Sequence, residues 1–181
     1  GTIWDLETIK AKVLLGNDTA QSITAFNGND VINALGGNDT VNGQDGDDAI
    51  NGGLGNDVLR GGEGKDTLLG SNGDDSFDGG NGDDSIEGGK GNDWMYGGYG
   101  NNTYVFAKGD GQDYIENNYD GTAGKNNVLQ SKTGVAPSEV SVQRTGEDLI
   151  LSIGTTDKIT VHSFFYGDSA TNVYNPIQQI K

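Results

Sequence analysis

GGLGNDVLR-GGEGKDTLL (Gly52–Leu69), answered further along by GGNGDDSIE (Gly79–Glu87), sets a nine-residue register, G-G-x-G-x-D-x-U-x, where U is a large apolar residue. The register runs without a gap from Ala25 to Val105, nine copies in a row. Position four is glycine in every copy: Gly28, Gly37, Gly46, Gly55, Gly64, Gly73, Gly82, Gly91 and Gly100. Position six is Asp30, Asp39, Asp48, Asp57, Asp66, Asp75, Asp84 and Asp93, and then Asn102. Position eight is apolar throughout, from Ile32 and Val41 to Met95 and Tyr104. Positions one and two are looser, with Ala25, Phe26, Ala34, Leu35, Gln44 and Ser71 in place of glycine.

Glycines at positions one, two and four let the first six residues turn tightly, with carbonyls aimed inward. The x-U-x that follows reads as a short strand with one side chain in and two out. Two such units close a coil of 18 residues, which stacks each position-six Asp about 4.8 Å, one strand spacing, from the next in its row. Carboxylates that close repel unless a cation lies between them. An all-oxygen donor set of carboxylates and carbonyls suits calcium, which accepts six to eight oxygens at flexible angles; magnesium demands a stricter octahedron. With no cysteine and one histidine, the chain offers no zinc, copper or iron–sulfur ligand set in the repeats. A flexible Gly/Asn/Asp linker shares this composition but would not hold nine apolar residues at one phase.

Charge points the same way. The 181 residues carry 27 acidic and 11 basic side chains, a net of −16, which argues against nucleic acid and against anionic membrane surfaces. One apolar residue in nine makes a thin core, too little to offset the entropy of ordering so many glycines. With no disulfide available, metal binding is the remaining source of folding free energy, so binding and folding are expected to be one event. No apolar run is long enough to span a bilayer, and no signal-peptide core is visible. Of the 32 glycines, 22 lie between Ala25 and Val105, so composition changes sharply after the repeats.

Three segments are expected on this basis: an N-terminal cap (1–24), a repeat block (25–117) and a β-rich C-terminal cap (118–181). Gly16–Thr24 reads as a worn repeat, with Ile23 at position eight and Gln21 where Asp belongs. Before it, Leu6, Ile9 and Val13 stand at helical spacing behind Asp5, which predicts a short helix over Asp5–Val13. After the repeats the pattern resumes two residues out of phase, which makes Asp113 a candidate last ligand. Alternating segments Glu139–Arg144, Leu149–Ile153 and Lys158–Phe165 read as an antiparallel meander that covers the open end of the stack.

Catalysis has no visible home. There is no H-E-x-x-H, G-x-S-x-G, P-loop or EF-hand match, and His162 reads as an ordinary strand residue. The pairs Asp47-Asp48, Asp74-Asp75 and Asp83-Asp84 are not acid/base dyads. In register the second of each is a ligand and the first faces solvent.

The repeats resemble the RTX (repeats-in-toxin) family of haemolysin-type calcium-binding proteins, and Tyr104–Lys181 resembles the domain that often follows such repeats. The resemblance implies an all-β fold: a right-handed parallel β-roll with an antiparallel C-terminal cap. It also implies that one turn supplies the carbonyls of positions two and four, that the turn 18 residues on supplies those of positions one and three, and that the two Asp side chains complete the site. Carried over, Asp39/Asp57 would use Leu35, Gly37, Gly52 and Leu54; Asp57/Asp75 would use Gly53, Gly55, Gly70 and Asn72; and Asp66/Asp84 would use Gly62, Gly64, Gly79 and Asn81. Gly43 and Asp45 would serve Asp30/Asp48; Gly46, Gly61 and Glu63 would serve Asp48/Asp66; and Gly73, Gly88 and Lys90 would serve Asp75/Asp93. Asp84/Asn102 and Asp93/Asp113 would bring six sites to eight, a calcium complement that would balance the charge of −16.

The resemblance further implies type I secretion, folding in the calcium-rich exterior, and neighbouring modules of the same polypeptide. Gly1-Thr2-Ile3-Trp4 looks like the end of such a module, and Asn175–Lys181 stops short of the same ending. The leading expectation is a calcium-dependent folding and presentation module, not an enzyme. The alternative is an adhesin-like module that binds a cell surface or polysaccharide, with Trp94, Tyr96 and Tyr99 as an aromatic platform for glycans.

Overall fold

The structure is a computed structural model that describes residues 13–116, 126–164 and 179–181. Its strands in chain order are β1 (Val13–Asn17), β2 (Ser22–Thr24), β3 (Val31–Leu35), β4 (Thr40–Asp45), β5 (Ala49–Leu54), β6 (Val58–Glu63), β7 (Thr67–Asn72), β8 (Ser76–Asn81), β9 (Ser85–Lys90), β10 (Trp94–Tyr96), β11 (Thr103–Phe106), β12 (Gln112–Ile115), β13 (Val128–Ser131), β14 (Val140–Thr145), β15 (Asp148–Ile153), β16 (Asp157–Val161) and β17 (Gln179–Ile180). Among the described residues the one helical element is a 3-10 turn, Pro137–Glu139.

Odd and even strands of the repeats separate into two sheets. One runs β1-β3-β5-β7-β9-β11-β13-β17, the other β2-β4-β6-β8-β10-β12-β16-β15-β14. Each repeat strand pairs in parallel with the strand one coil on, as in Ile32↔Ile50, Val41↔Leu59 and Leu59↔Phe77. That offset of 18 residues is the two-copy coil that the register dictates. The strands β4 to β9 run six residues, from position seven through position three of the next copy. This is twice the x-U-x length expected, because the pairing resumes at positions two and three, as in Gln44↔Gly62 and Asp45↔Glu63.

Burial alternates along each of these strands: position eight is in, position nine half-out (fully out at Arg60) and position one in again. Ile32, Val41, Ile50, Leu59, Leu68, Phe77, Ile86, Met95 and Tyr104 are all buried, and they stack between the sheets as one column. Ile115, Leu129, Leu149, Leu151, Ile153, Ile159 and Val161 carry the same cluster into the C-terminal region.

The flanks depart from expectation in particulars. The worn repeat is built in register, with Ile23 paired to Val41. The expected helix over Asp5–Val13 falls outside the described residues except at Val13, which opens strand β1 and pairs with Val31. The meander is present, with β14 antiparallel to β15 and β15 to β16. Its third strand stops at Val161, short of His162, and Phe165 lies outside the described residues. β16 then adds in parallel to β12, so the meander extends the solenoid sheet and covers its edge. Lys108 pairs with Glu139 at 2.6 Å and the Gly109 N–H donates to Asp157 at 2.7 Å, which ties this segment to the last coil.

Truncation after Asn117 would strip β13 to β17 from both sheets and bare Tyr104, Phe106 and Ile115. The shortened chain is expected to need more calcium for folding and to self-associate. A calcium titration followed by circular dichroism and size-exclusion chromatography checks this. An unchanged midpoint in a monomer would show that the segment is no cap.

Candidate metal centre

Two backbone constraints shape the turns. Positions two and four lie in the left-handed region, as at Gly53 (φ 110°) and Gly55 (φ 116°), and non-glycine residues hold position two at Leu35 (77°), Gln44 (78°) and Ser71 (82°). From Gly37 onward position four leaves no room for a side chain, since a Cβ on Gly55, for example, would overlap the Gly37 carbonyl one coil earlier; Gly28, in the first copy, has open space. Position one differs from expectation. It keeps ordinary angles and is small for reasons of space, because a Cβ on Gly43 would meet Asp48 Oδ2 and, at 2.6 Å, the Gly61 carbonyl oxygen. That hollow repeats at Gly79, whose Cβ would lie 2.5 Å from Asp84 Oδ2 and 2.6 Å from the Gly97 oxygen.

Each position-six Asp is at most 2% exposed and turned into the coil. One carboxylate oxygen accepts the backbone N–H of the Asp one coil earlier: Asp30 to Asp48 at 2.8 Å, Asp39 to Asp57 at 2.7 Å, and onward to Asp75 to Asp93 at 2.9 Å. The other oxygen has no hydrogen-bond partner on Asp30, Asp39, Asp48, Asp57, Asp66, Asp75, Asp84 or Asp93. A buried, unpartnered carboxylate oxygen costs several kcal/mol unless something positive meets it. Among the described residues no three His, Cys, Asp or Glu side chains converge. A cation here must therefore be held by carboxylates of successive coils together with backbone oxygens, a hard donor set that fits calcium.

The carbonyls sit where such a set needs them. The oxygens of Leu35, Gly37, Gly46, Gly55, Gly62 and Gly64 press against the glycines one coil on, and those of Gly61, Gly79 and Gly88 reach the hollow beneath position one. Position-three carbonyls already accept one bond each, from position-four N–H groups one coil back, at Glu63 (2.7 Å), Asn72 (2.9 Å), Asn81 (2.8 Å) and Lys90 (2.8 Å). One lone pair remains on each.

Burial raises the acid pKa of Asp48, Asp57, Asp66, Asp75, Asp84, Asp93 and Asp113. The N–H bond from the preceding Asp opposes it and the neighbouring carboxylates reinforce it. Asp57, Asp84 and Asp93 are pushed to about 6, and Asp66, Asp75 and Asp113 to about 7.

The rows end differently. Asp113 continues one of them and accepts from Asp93 N–H at 3.2 Å, and Gly111 pairs with Gly91. On the other edge Asn102 accepts from Asp84 N–H at 2.9 Å, while its own amide donates to the Gly98 carbonyl at 3.4 Å. Asn127 then takes position six, 25 residues on, and accepts from Asn102 N–H at 2.6 Å. No spacing in the sequence marks Asn127.

Position five was also under-read. Its side chains are exposed, as expected, yet they form a second ladder in the opposite sense: Asn29 accepts from Asp47 N–H (2.9 Å), Asp47 from Lys65 (2.8 Å) and Asp74 from Asn92 (2.8 Å). The signal was in plain view, since position five is Asn or Asp in every copy but that of Lys65. Of the other candidates, Trp94 is partly exposed and Tyr99 half exposed, while Tyr96 is half-buried and lies deeper than either. His162 is held by Asp148 (3.0 Å) and lies tilted against the Tyr114 ring.

A family model for the RTX calcium-binding nonapeptide repeat matches the chain four times, at residues 24–59, 51–86, 60–95 and 78–113, together about half of its length. No curated protein sequence matches it. Among solved structures it is similar to the extracellular lipase LipA from Serratia marcescens, at 17% identity and a TM-score of 0.35 over 83% of this chain. The chain spans 39% of the length of that lipase.

Asp57→Ala is expected to raise the calcium midpoint severalfold. Asp47→Ala removes the acceptor for Lys65 N–H and should raise it too, by a smaller step of about 1 kcal/mol, whereas Lys65→Asn should lower it. Equal effects at positions five and six would overturn the register. For pH the sign follows from acids whose folded pKa is raised: the folded chain binds more protons than the unfolded one between pH 3.8 and about 7. Metal-free chain should therefore gain β circular dichroism as pH falls from 8 to about 5. Calcium should bind less well over the same fall, because protons compete for the same oxygens.

Proposed function

The chain belongs to the family of proteins built on RTX calcium-binding nonapeptide repeats, and from that membership we infer that it is a module whose folding is switched on by calcium, within a secreted RTX protein. One observation supports this above the rest: eight buried Asp oxygens without a partner, in rows where no basic side chain is buried among the described residues. We take the ligands to be the position-six carboxylates with the carbonyls of positions two and four from one coil and one and three from the next. That arrangement gives six sites between paired aspartates. Asp84/Asn102 and Asp93/Asp113 would be the seventh and eighth, weakened by a neutral amide in one and a two-residue phase shift in the other.

Calcium supplies charge to a core that the sequence leaves deficient. The chain's own groups do the rest. The left-handed turns aim the carbonyls, the N–H of one Asp fixes the carboxylate of the next, and the position-eight column excludes water. With little calcium the rows repel and the chain stays open, a form suited to passage through a type I export channel. In the calcium-rich exterior it closes and presents whatever its polypeptide carries beside it. This reading gives the chain itself no catalytic step.

Far-UV circular dichroism of metal-free chain should show little β structure, and millimolar calcium should convert it, sigmoidally, because neighbouring sites share an Asp. A well-folded metal-free chain at pH 8, or complete folding with magnesium alone, would overturn the reading.

A further inference from the structure

We propose that the outer face of the nine-stranded sheet carries a binding groove for a neutral oligosaccharide, centred on Tyr96 and Tyr99. A groove of about 370 Å³ opens there, lined by Asp45, Glu63, Asp78, Asn81, Tyr96 and Tyr99 over a floor that includes Gly62, Gly80 and Gly98. The solenoid register builds it. Asp45 lies beside Glu63, Glu63 beside Asn81 and Asn81 beside Tyr99, one coil apart in each step. A second row runs Asn42, Arg60, Asp78 and Tyr96, again one coil apart in each step.

The chemistry favours a sugar. Tyrosine offers a flat apolar face with a polar tip, against which the apolar face of a pyranose can stack. Carboxylates and amides are planar groups that take vicinal hydroxyls in pairs, and bonds to the ionised acids are charge-assisted and short-ranged. Asn81 Nδ2 already donates to Glu63 Oε1 at 2.6 Å, which holds both groups in one orientation before any ligand arrives. From Gly62 to Gly98 the floor brings no side chain up between the rows, so a ring can lie flat there, with Gln44 closing the far end. The three acids of the lining, Asp45, Glu63 and Asp78, outweigh Arg60, which stands beside Asp78, and repel an anionic glycan or a phosphate. A basic peptide would be attracted by the same charge, but that attraction is screened at the ionic strength of an exterior medium, whereas stacking and short hydrogen bonds are not.

Tyr96 and Asp78 stand at position nine, outside the metal centre, and Asp45, Glu63, Asn81 and Tyr99 face that centre only through their backbone carbonyls, so the side chains of the groove can be changed without removing a metal ligand. The test uses the whole calcium-loaded chain, titrated calorimetrically with cellohexaose, maltohexaose, laminarihexaose, mannohexaose and xylohexaose, with hexagalacturonate and hexalysine as charged probes. At least one neutral hexasaccharide should bind saturably in the millimolar range or below. Tyr96→Ala and Tyr99→Ala should each weaken it about tenfold, Asp78→Asn should weaken it less, and Tyr96→Phe should retain most of it. The calcium midpoint by circular dichroism, read on the same samples, should stay unchanged in Tyr96→Ala, Tyr96→Phe and Asp78→Asn, whose side chains stand at position nine, so a failure of the groove is separable from a failure of calcium-driven folding. Absence of binding by every neutral probe, binding of hexalysine or hexagalacturonate in their stead, or neutral binding indifferent to both alanine variants would each overturn the proposal. Should an alanine variant shift the calcium midpoint, Tyr96→Phe and Asp78→Asn carry the comparison.

Discussion

Repulsion between buried carboxylates of successive coils is the constraint on which the remainder of this molecule depends. Stacking strands at one spacing buries the position-eight column, and it also lines up aspartates whose second oxygens find no donor. The fold thus creates the electrostatic debt that only a cation can discharge. A solenoid with this core and no metal would lose on both counts, with little apolar area gained and much charge confined.

The backbone answers to the same constraint. Left-handed angles at positions two and four turn carbonyls along the stacking axis, where the glycine of the next coil leaves room for them. Position one is small for a different reason, since the carboxylate of its own turn occupies the space a side chain would need. Three glycines of one motif therefore serve two physical ends, conformational freedom and vacancy, which the motif alone cannot separate.

Periodicity made the repeat block legible, because every stacked contact recurs at one offset and a register names all partners at once. The alternation in Leu149–Ile153 and Lys158–Phe165 was strong enough to mark the meander as well, although its third strand ends at Val161. What stayed hidden lacks a period. Asn127 joins its row after 25 residues, where chain geometry and not spacing sets the partner. β13 went unseen for the same reason. Position five was legible and misjudged: exposed Asn and Asp look like solvent-facing ornament until the N–H groups they accept are placed.

Consecutive copies belong to opposite sheets, and this gives the array a parity. Loss or gain of a single nonapeptide would carry every later strand to the other sheet, so that β12 would meet the edge meant for β13 and the meander would find no strand of its own kind to extend. Two copies together shift nothing except the length. The unit that can be duplicated without consequence for the ends is thus 18 residues long, and a nine-residue change is, in topological terms, a frameshift.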